Sequence, residues 1–263
     1  MTPAQAHLVD QLRARFGPRI ATTDTGDIEP WLTDWRGRWH GAAPALLQPD
    51  SVEAVAAIVA LAREGGVALT PQGGNSSMVG GATPPADGSA LILSLRRLNA
   101  IRAIAPGHAL AEAGVILETL HQAAADTGQR FPLTLGAKGS ATIGGLVSTN
   151  AGGTQVLRFG PMRSLVEGLE AVLPDGSIHH GLTGLKKDNR GPSLDQLLVG
   201  AEGTGKRISR IGADAVIYQD LEALGDRIAV RDFHPADAHV DEIETAHAQG
   251  LEVLLDSCAQ TGA

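Results

Sequence analysis

Cysteine is nearly absent from this sequence of 263 residues, whose single cysteine is Cys258. One cysteine excludes an intramolecular disulfide and any zinc or iron–sulfur site built from several cysteines, and it suits a reducing compartment. The chain carries 21 lysines and arginines against 29 aspartates and glutamates, with no basic block among them. Because nucleic-acid-binding proteins present a concentrated basic surface, nucleic acid is not an expected partner.

Long apolar runs are also missing. None approaches the ~20 residues that a membrane-spanning helix requires, and the first residues lack the basic-then-apolar order of a signal peptide. We therefore expect no integral membrane segment and a cytoplasmic protein. Hydrophobic residues make up 43% of the chain, which is enough for a buried core. The 33 glycines follow no repeat, so we expect them to serve particular positions.

The glycines concentrate in two runs, at residues 71–81 and 135–153. Glycine lets backbone N–H groups approach a ligand closely and permits positive φ angles. Successive amides that point inward form a concavity that binds anions, above all phosphate. Two such runs, each after a strand or an apolar segment, predict one long phosphorylated cofactor held along its length.

Other glycine fingerprints fit less well. The dinucleotide-binding pattern G-x-G-x-x-G is not present, since Gly73 and Gly74 are adjacent and Pro84-Pro85 would break a following helix. Residues 200–206 match the phosphate-loop spacing G-x-x-x-x-G-K, but Arg207 follows where a serine or threonine would bind Mg²⁺. A nucleotide-binding protein that uses residues 200–206 remains as an alternative hypothesis.

Hydrophobic periodicity predicts alternating helices and strands. Helices are expected at 3–16, from Asp50 to Gly65, and at 115–127, 194–198, 219–227 and 235–249; strands at 67–70, 90–95, 110–113, 167–173, 177–182, 215–218 and 251–255. Pro174-Asp175-Gly176 predicts a hairpin turn, so the fold class is α+β, that is, mixed α/β. Three tryptophans at 31, 35 and 39 are interpreted as core anchors. The alternative is that they border an anionic ligand, together with Arg36, Arg38 and His40.

Six segments in order resemble the FAD-binding domain of the vanillyl-alcohol-oxidase (PCMH) type. They are residues 71–81, 135–153, 158–161, 172–176, 185–190 and 200–204, and residues 32–37 are similar to the family's opening segment. The likeness is greatest to the FAD-linked dehydrogenases of D-lactate, glycolate and D-2-hydroxyglutarate. It implies a two-subdomain FAD-binding fold at 28–204, preceded by an N-terminal helix or cap at 1–27. Residues 205–263 would form a divergent or truncated tail that lacks the family's substrate domain.

The resemblance also implies which residues hold FAD. The first run would wrap the pyrophosphate, the second would follow the ribityl chain and the flavin, and Glu202-Gly203 would lie near the adenine half. Covalent members attach the flavin to a histidine of the first loop. In this chain that loop contains Asn75 and no histidine, so non-covalent FAD is expected. The implied cofactor-binding residues are Pro71, Gln72, Gly73, Gly74, Asn75, Ser76, Ser77, Gly80, Gly81, Leu135, Gly136, Ala137, Ser140, Ile143, Gly144, Gly145, Ser148, Thr149, Asn150, Gly152, Gly153, Glu202 and Gly203.

The activity implied by the resemblance is that of an FAD-dependent oxidoreductase. Such a dehydrogenase passes the α-hydrogen of a small-molecule D-2-hydroxy acid to flavin N5 as hydride and then reduces an acceptor that is unknown here. The family's acid–base histidines and metal lie in the substrate domain, so no catalytic residue and no metal ligand is assigned. The alternative is a flavin-binding module or inactive fragment without turnover of its own.

Five histidines and a basic loop at 185–190 are the candidates to replace the acid–base and metal-binding groups of the missing substrate domain. His234, His239 and His247 lack the spacing that places two ligands on one helical face. His179 and His180 are adjacent on a predicted strand and point to opposite faces. All five are interpreted as solvated or structurally bonded. Residues 186, 187 and 190 are cationic, and a solvated loop is favoured over an anionic-substrate contact.

Overall fold

The chain divides into two compact units, Met1–Gln219 and Asp220–Ala263. A computed structural model describes residues 1–183, 189 and 191–202 and the backbone of the strand Ile211–Tyr218, all within the first unit. The helices predicted at 219–227 and 235–249 and the strand predicted at 251–255 lie outside the described residues. In the described part of the chain, no helix has the length and apolar character needed to cross a membrane.

Helices and strands alternate along the first unit. The α-helices are α1 (Pro3–Phe16), α2 (Thr25–Ile28), α3 (Val52–Glu64), α4 (Leu117–Asp126), α5 (Ile143–Thr149), α6 (Val156–Phe159), α7 (Met162–Leu165) and α8 (Leu194–Leu198). The strands are β1 (Ala21–Thr22), β2 (Leu46–Leu47), β3 (Ala68–Gln72), β4 (Ala90–Ser94), β5 (Ile101–Ala105), β6 (His108–Glu112), β7 (Val166–Val172), β8 (Ile178–His180) and β9 (Ile211–Tyr218). Short 3₁₀ turns span Pro18–Ile20 and Glu29–Trp31.

The first sheet has the strand order β1-β2-β4-β3. Strand β4 runs parallel to both β2 and β3, whereas β1 pairs antiparallel with β2. All five residues of β4 are buried, as expected for an inner strand that is covered on both faces. Leu8 and Leu12 of α1 and Val55 and Ile58 of α3 share one core cluster with Leu91 of β4.

The second sheet has the order β5-β6-β9-β7-β8 and is antiparallel throughout. Its middle strand is β9, which lies between β6 and β7. Leu117 and Leu120 of α4 and Ile143 and Leu146 of α5 form a core with Leu169 of β7. One mixed sheet and one antiparallel sheet with helices confirm the predicted α+β class.

Most predicted elements are present with shifted ends. The helix at 3–16 is confirmed, and Thr2 and Gln5 form a capping box at its start. The expected start of α3 at Asp50 was wrong, because the Oγ of Ser51 accepts the N–H of Ala54 and caps the helix instead. The carboxylate of Asp50 pairs with Arg97. Strand β5 was not predicted.

Two differences bear on the candidate site. No helix was predicted within the glycine run at 135–153, yet it contains helix α5. The N–H groups of Ile143 and Gly144 donate to the carbonyls of Val115 and Ala113, which docks the first turn of α5 beside the end of β6. Strand β9 starts four residues before the predicted 215–218 strand. The domain boundary at residue 204 stays a prediction, although β9 lies beyond it and completes the second sheet.

Candidate functional site

A cavity of about 350 Å³ lies between the two glycine-rich runs. Its size falls within the range of roughly 300–1,000 Å³ that is typical of small-molecule sites. The predicted site residues that line it are Pro71, Gln72, Gly73, Gly74, Asn75, Ser76, Ser77, Gly81, Leu135, Ala137, Gly144, Gly145, Ser148, Thr149 and Glu202. Those that do not line it are Gly80, Gly136, Ser140, Ile143, Asn150, Gly152 and Gly153, and Gly203 lies outside the described residues.

The two glycine runs contact each other directly. A Cβ on Gly73 would lie 2.3 Å from the Thr142 Oγ1, and one on Gly74 would lie 1.9 Å from the carbonyl oxygen of Ser140. Both distances are far below van der Waals contact. At Gly73 the nearest atom is a threonine hydroxyl, whereas at Gly74 it is a backbone oxygen, so a side chain at residue 74 would separate the runs. Close approach to a ligand was the expected reason for these glycines; the packing of one run on the other is sufficient to require glycine at residue 74.

The first loop, which lines the cavity, contains a row of unpaired backbone donors. Among the described residues, no group accepts a hydrogen bond from the backbone N–H of Gly74, Asn75, Ser76 or Ser77. Asn75 has a left-handed backbone with φ of +50°. Successive amides around such a residue form an anion-binding concavity. The loop therefore supplies the donor set that a phosphate or pyrophosphate requires, without any lysine or arginine.

Three side chains hold this loop from behind. The buried Gln72 donates from Nε2 to the carbonyls of Trp31 and Ala82, at 3.0 and 2.8 Å. Asn75 donates from Nδ2 to the carbonyl of Thr33 at 2.7 Å. Arg96 donates from Nε to the carbonyl of Gly73 at 3.0 Å. No sequence pattern indicated Arg96, and the resemblance implied that Gln72 contacts the ligand rather than the protein backbone.

The guanidinium of Arg96 also stacks on Trp31. Its central carbon lies 4.6 Å from the ring centroid, which is a cation–π distance. Trp31 itself is half-buried and packs against a small cluster that contains Ile28 and Ile92. Trp31 thus connects the core cluster that contains Ile92 of β4 with Arg96, which bonds to the glycine loop.

The core-anchor interpretation was wrong for Trp35 and Trp39, which are 59% and 64% exposed. The buried residues of this segment are Leu32 and Asp34, and the carboxylate of Asp34 accepts the N–H groups of Arg36, Arg38 and Trp39. A carboxylate that folds the backbone around itself leaves the aromatic side chains on the outside. Trp39 lies beside the first glycine loop, where a Cβ on Gly80 would be 2.9 Å from its Cδ1.

Asp34 predicts a pH dependence. The N–H of Trp39 first, and those of Arg36 and Arg38, hold the pKa of Asp34 below its usual value. A depressed pKa in the folded state stabilises the protein above the unfolded pKa of about 3.9, and this contribution is lost as the pH falls through the folded pKa. We expect Asp34→Asn to lower the melting temperature by a few degrees at pH 7 and by less as the pH approaches 3. Thermal unfolding across this range tests it, and a difference that does not change with pH would contradict it.

The paired histidines have structural partners. The Nε2 of His179 lies 2.7 Å from Asp195 Oδ1, and the Nδ1 of His180 lies 2.6 Å from Glu170 Oε2. This confirms the interpretation of both as structurally bonded. The other three histidines considered above, and the cations at 186, 187 and 190, lie outside the described residues. Within the described ranges, no three or more His, Cys, Asp or Glu residues form a group that could hold a metal.

Glu202 also lines the cavity. Its N–H donates to the carbonyl of Ser148, and that of Gly200 donates to the carbonyl of Val147, so this segment is docked on α5. Arg163 supports it by donating to the carbonyls of Gln196 and Val199. The cavity is therefore bounded by the first loop, by α5 and by residue 202.

The comparisons with known proteins agree with this geometry. The family described as FAD binding domain matches residues 43–181, which is more than half of the chain. A mitochondrial D-2-hydroxyglutarate dehydrogenase of Bos taurus is 44% identical over 192 residues, covering 72% of this chain and 35% of the relative. A putative mitochondrial D-lactate dehydrogenase of Schizosaccharomyces pombe is 39% identical over 184 residues, covering 69% and 35%. The chain thus spans about a third of the length of these curated relatives.

Solved structures share the fold at lower identity. An alkyldihydroxyacetonephosphate synthase superposes with a TM-score of 0.68 at 22% identity, covering 81% of this chain and 40% of the other. A p-cresol methylhydroxylase with substrate bound gives a TM-score of 0.66 at 20% identity, covering 83% and 44%. These similarities confirm the fold that the resemblance implied.

Proposed function

Because this chain belongs to the family of FAD-binding domains, we propose that it binds FAD non-covalently in the cavity between the two glycine runs. The observation that carries the proposal is the row of unpaired N–H groups at residues 74–77 beside that cavity. Phosphate oxygens satisfy such donors without a counter-cation. Residues 71–81 contain no histidine for a covalent attachment, and the carboxamide of Asn75 is not a nucleophile.

The site residues divide along the cavity. Residues 71–77 would hold the pyrophosphate, since the free amides lie there. The lining residues of the second run and of α5 offer hydroxyls and glycine backbone along the ribityl chain and the flavin. Glu202, which lines the same cavity, would lie near the adenine half. The domain division proposed with this placement is a cap at 1–27, the FAD-binding domain at 28–204 and a tail from residue 205.

The proposed activity is oxidation of a D-2-hydroxy acid. It rests on the named activities of the relatives, which act on D-2-hydroxyglutarate and D-lactate. Bound FAD supplies a hydride acceptor for such a substrate, while the protein supplies binding and orientation. The lining residues of the cavity would bind and orient the cofactor. The electron acceptor is not assigned. A flavin-binding module without turnover is the second candidate, favoured by the third of the relatives' length that the chain spans.

Titration of the purified chain with FAD tests the first proposal. We expect saturable binding that shifts the flavin absorption bands, and release of all flavin after acid precipitation, because no covalent bond is formed. Flavin that stays with the precipitate would contradict non-covalent attachment, and no binding at all would contradict the proposed site.

Dye reduction separates the dehydrogenase from the binding module. The FAD-loaded chain would be mixed with D-lactate, D-2-hydroxyglutarate and glycolate in the presence of an artificial electron acceptor. Reduction that depends on the D enantiomer supports the dehydrogenase. FAD binding without reduction by any of the three supports the module.

A further inference from the structure

We infer that Asn75 is a positioning residue, which orients the amides of the first glycine loop by bonding to the carbonyl of Thr33. The inference rests on the proposed FAD site and deepens it. Asn75 carries the left-handed turn of the loop, with φ of +50°, in the middle of the unpaired N–H groups at 74–77. Its side-chain donor is directed away from them, with Nδ2 at 2.7 Å from the Thr33 carbonyl oxygen.

The partner of Asn75 is itself held in place. Thr33 pairs with His40 across an isolated antiparallel bridge, and its Oγ1 lies 2.8 Å from His40 Nδ1. The next residue is the buried Asp34, which binds three backbone N–H groups of the same turn. The Thr33 carbonyl therefore belongs to a segment with its own hydrogen-bond network, and a loop tied to it inherits a fixed position.

The left-handed backbone alone does not account for asparagine. Glycine adopts this conformation more easily, and most other residues adopt it at a cost of about 1 kcal/mol or more. Asparagine tolerates this conformation and also supplies a side-chain amide donor, which glycine lacks. The bond to Thr33 is the feature that glycine could not reproduce, so Asn75→Gly removes the tie while it preserves the φ angle.

The Asn75→Gly variant of the full chain tests the inference. Loss of one hydrogen bond that pre-organises the amides should weaken FAD binding by about fivefold to tenfold. ADP shares the pyrophosphate and should lose affinity by a similar factor. Riboflavin has no phosphate, so its binding should not change. Asn99→Gly, the same substitution at an exposed asparagine outside the cavity lining, should bind FAD as the unaltered chain does.

A second measurement does not depend on the ligand. Without FAD, amide hydrogen exchange at residues 73–81 should be faster in Asn75→Gly than in the unaltered chain, whereas exchange in β4 should not change. FAD affinity within twofold of the unaltered chain, or equal loss for riboflavin and ADP, would overturn the positioning role alone. If the unaltered chain does not bind FAD, the proposed function fails and this inference fails with it.

Discussion

Replacement of Gly74 by alanine is expected to destabilise the chain by about 2–4 kcal/mol, as overpacking of a closely fitted interior does. The new Cβ would lie 1.9 Å from the carbonyl oxygen of Ser140 and 3.0 Å from the Cα of Ala141. These are backbone atoms, so no side-chain rotation relieves the overlap. Chemical denaturation of Gly74→Ala and of the unaltered chain measures the difference.

Displacement of the second run would break backbone hydrogen bonds. The carbonyls of Lys138 and Ala141 accept the N–H groups of Glu118 and Leu117 at the start of α4. A shift of this segment would break those bonds, so the first loop would be displaced instead. Because the displaced loop carries the free amides, FAD affinity should fall by more than about tenfold as well.

Gly81→Ala is the matched control in the same loop. A Cβ there meets no atom within 4 Å, and Gly81 does not have a positive φ angle. Its stability should stay within about 0.5 kcal/mol of the unaltered chain. Equal stability of the Gly74 and Gly81 variants would show that the contact between the two runs does not require glycine.

Local patterns were sufficient for much of the fold. The 3.6-residue periodicity gave α1 and α3, and the Pro174-Asp175-Gly176 turn gave the hairpin of β7 and β8. Helix α8 spans the predicted residues 194–198, and the side chain of Ser193 caps it. Each of these features depends on residues close in sequence, and that is why composition and spacing predict them.

The errors occurred where contacts that periodicity and turn patterns do not encode decide the structure. Asp34 is polar, and its burial follows from three N–H groups that only the folded turn brings together. Helix α5 starts with adjacent glycines, which disfavour helix, but Gly144 is needed there because a Cβ would lie 2.6 Å from the Cβ of Ala113. The site follows the same rule: the glycine runs were visible in the sequence, whereas the braces Gln72 and Arg96 became visible only through their partners.

Gln72→Glu is expected to have the second large effect, and the effect should depend on pH. The side chain is 3% exposed, and its Nε2 donates to the carbonyls of Trp31 and Ala82. A carboxylate of the same size has no hydrogen to donate and would face two acceptors in a buried position. At pH 8 we expect a loss of about 3–5 kcal/mol of stability, typical of an unpaired buried charge.

The direction of the pH dependence follows from proton binding. Burial and the two carbonyls raise the pKa of the introduced carboxyl above its unfolded value of about 4.3, so the folded state binds more protons and loses stability as the pH rises. Near pH 4.5 the protonated carboxyl can donate one bond, and the loss should fall to about 1–2 kcal/mol. Gln11→Glu, on the exposed face of α1, should show no such dependence. A loss that is equal at both pH values would mean that the two bonds of Gln72 do not hold the glycine loop. Gln72 is the last residue of β3 and precedes the adjacent glycines 73 and 74 of this loop. FAD affinity should therefore decline over the same pH interval as stability.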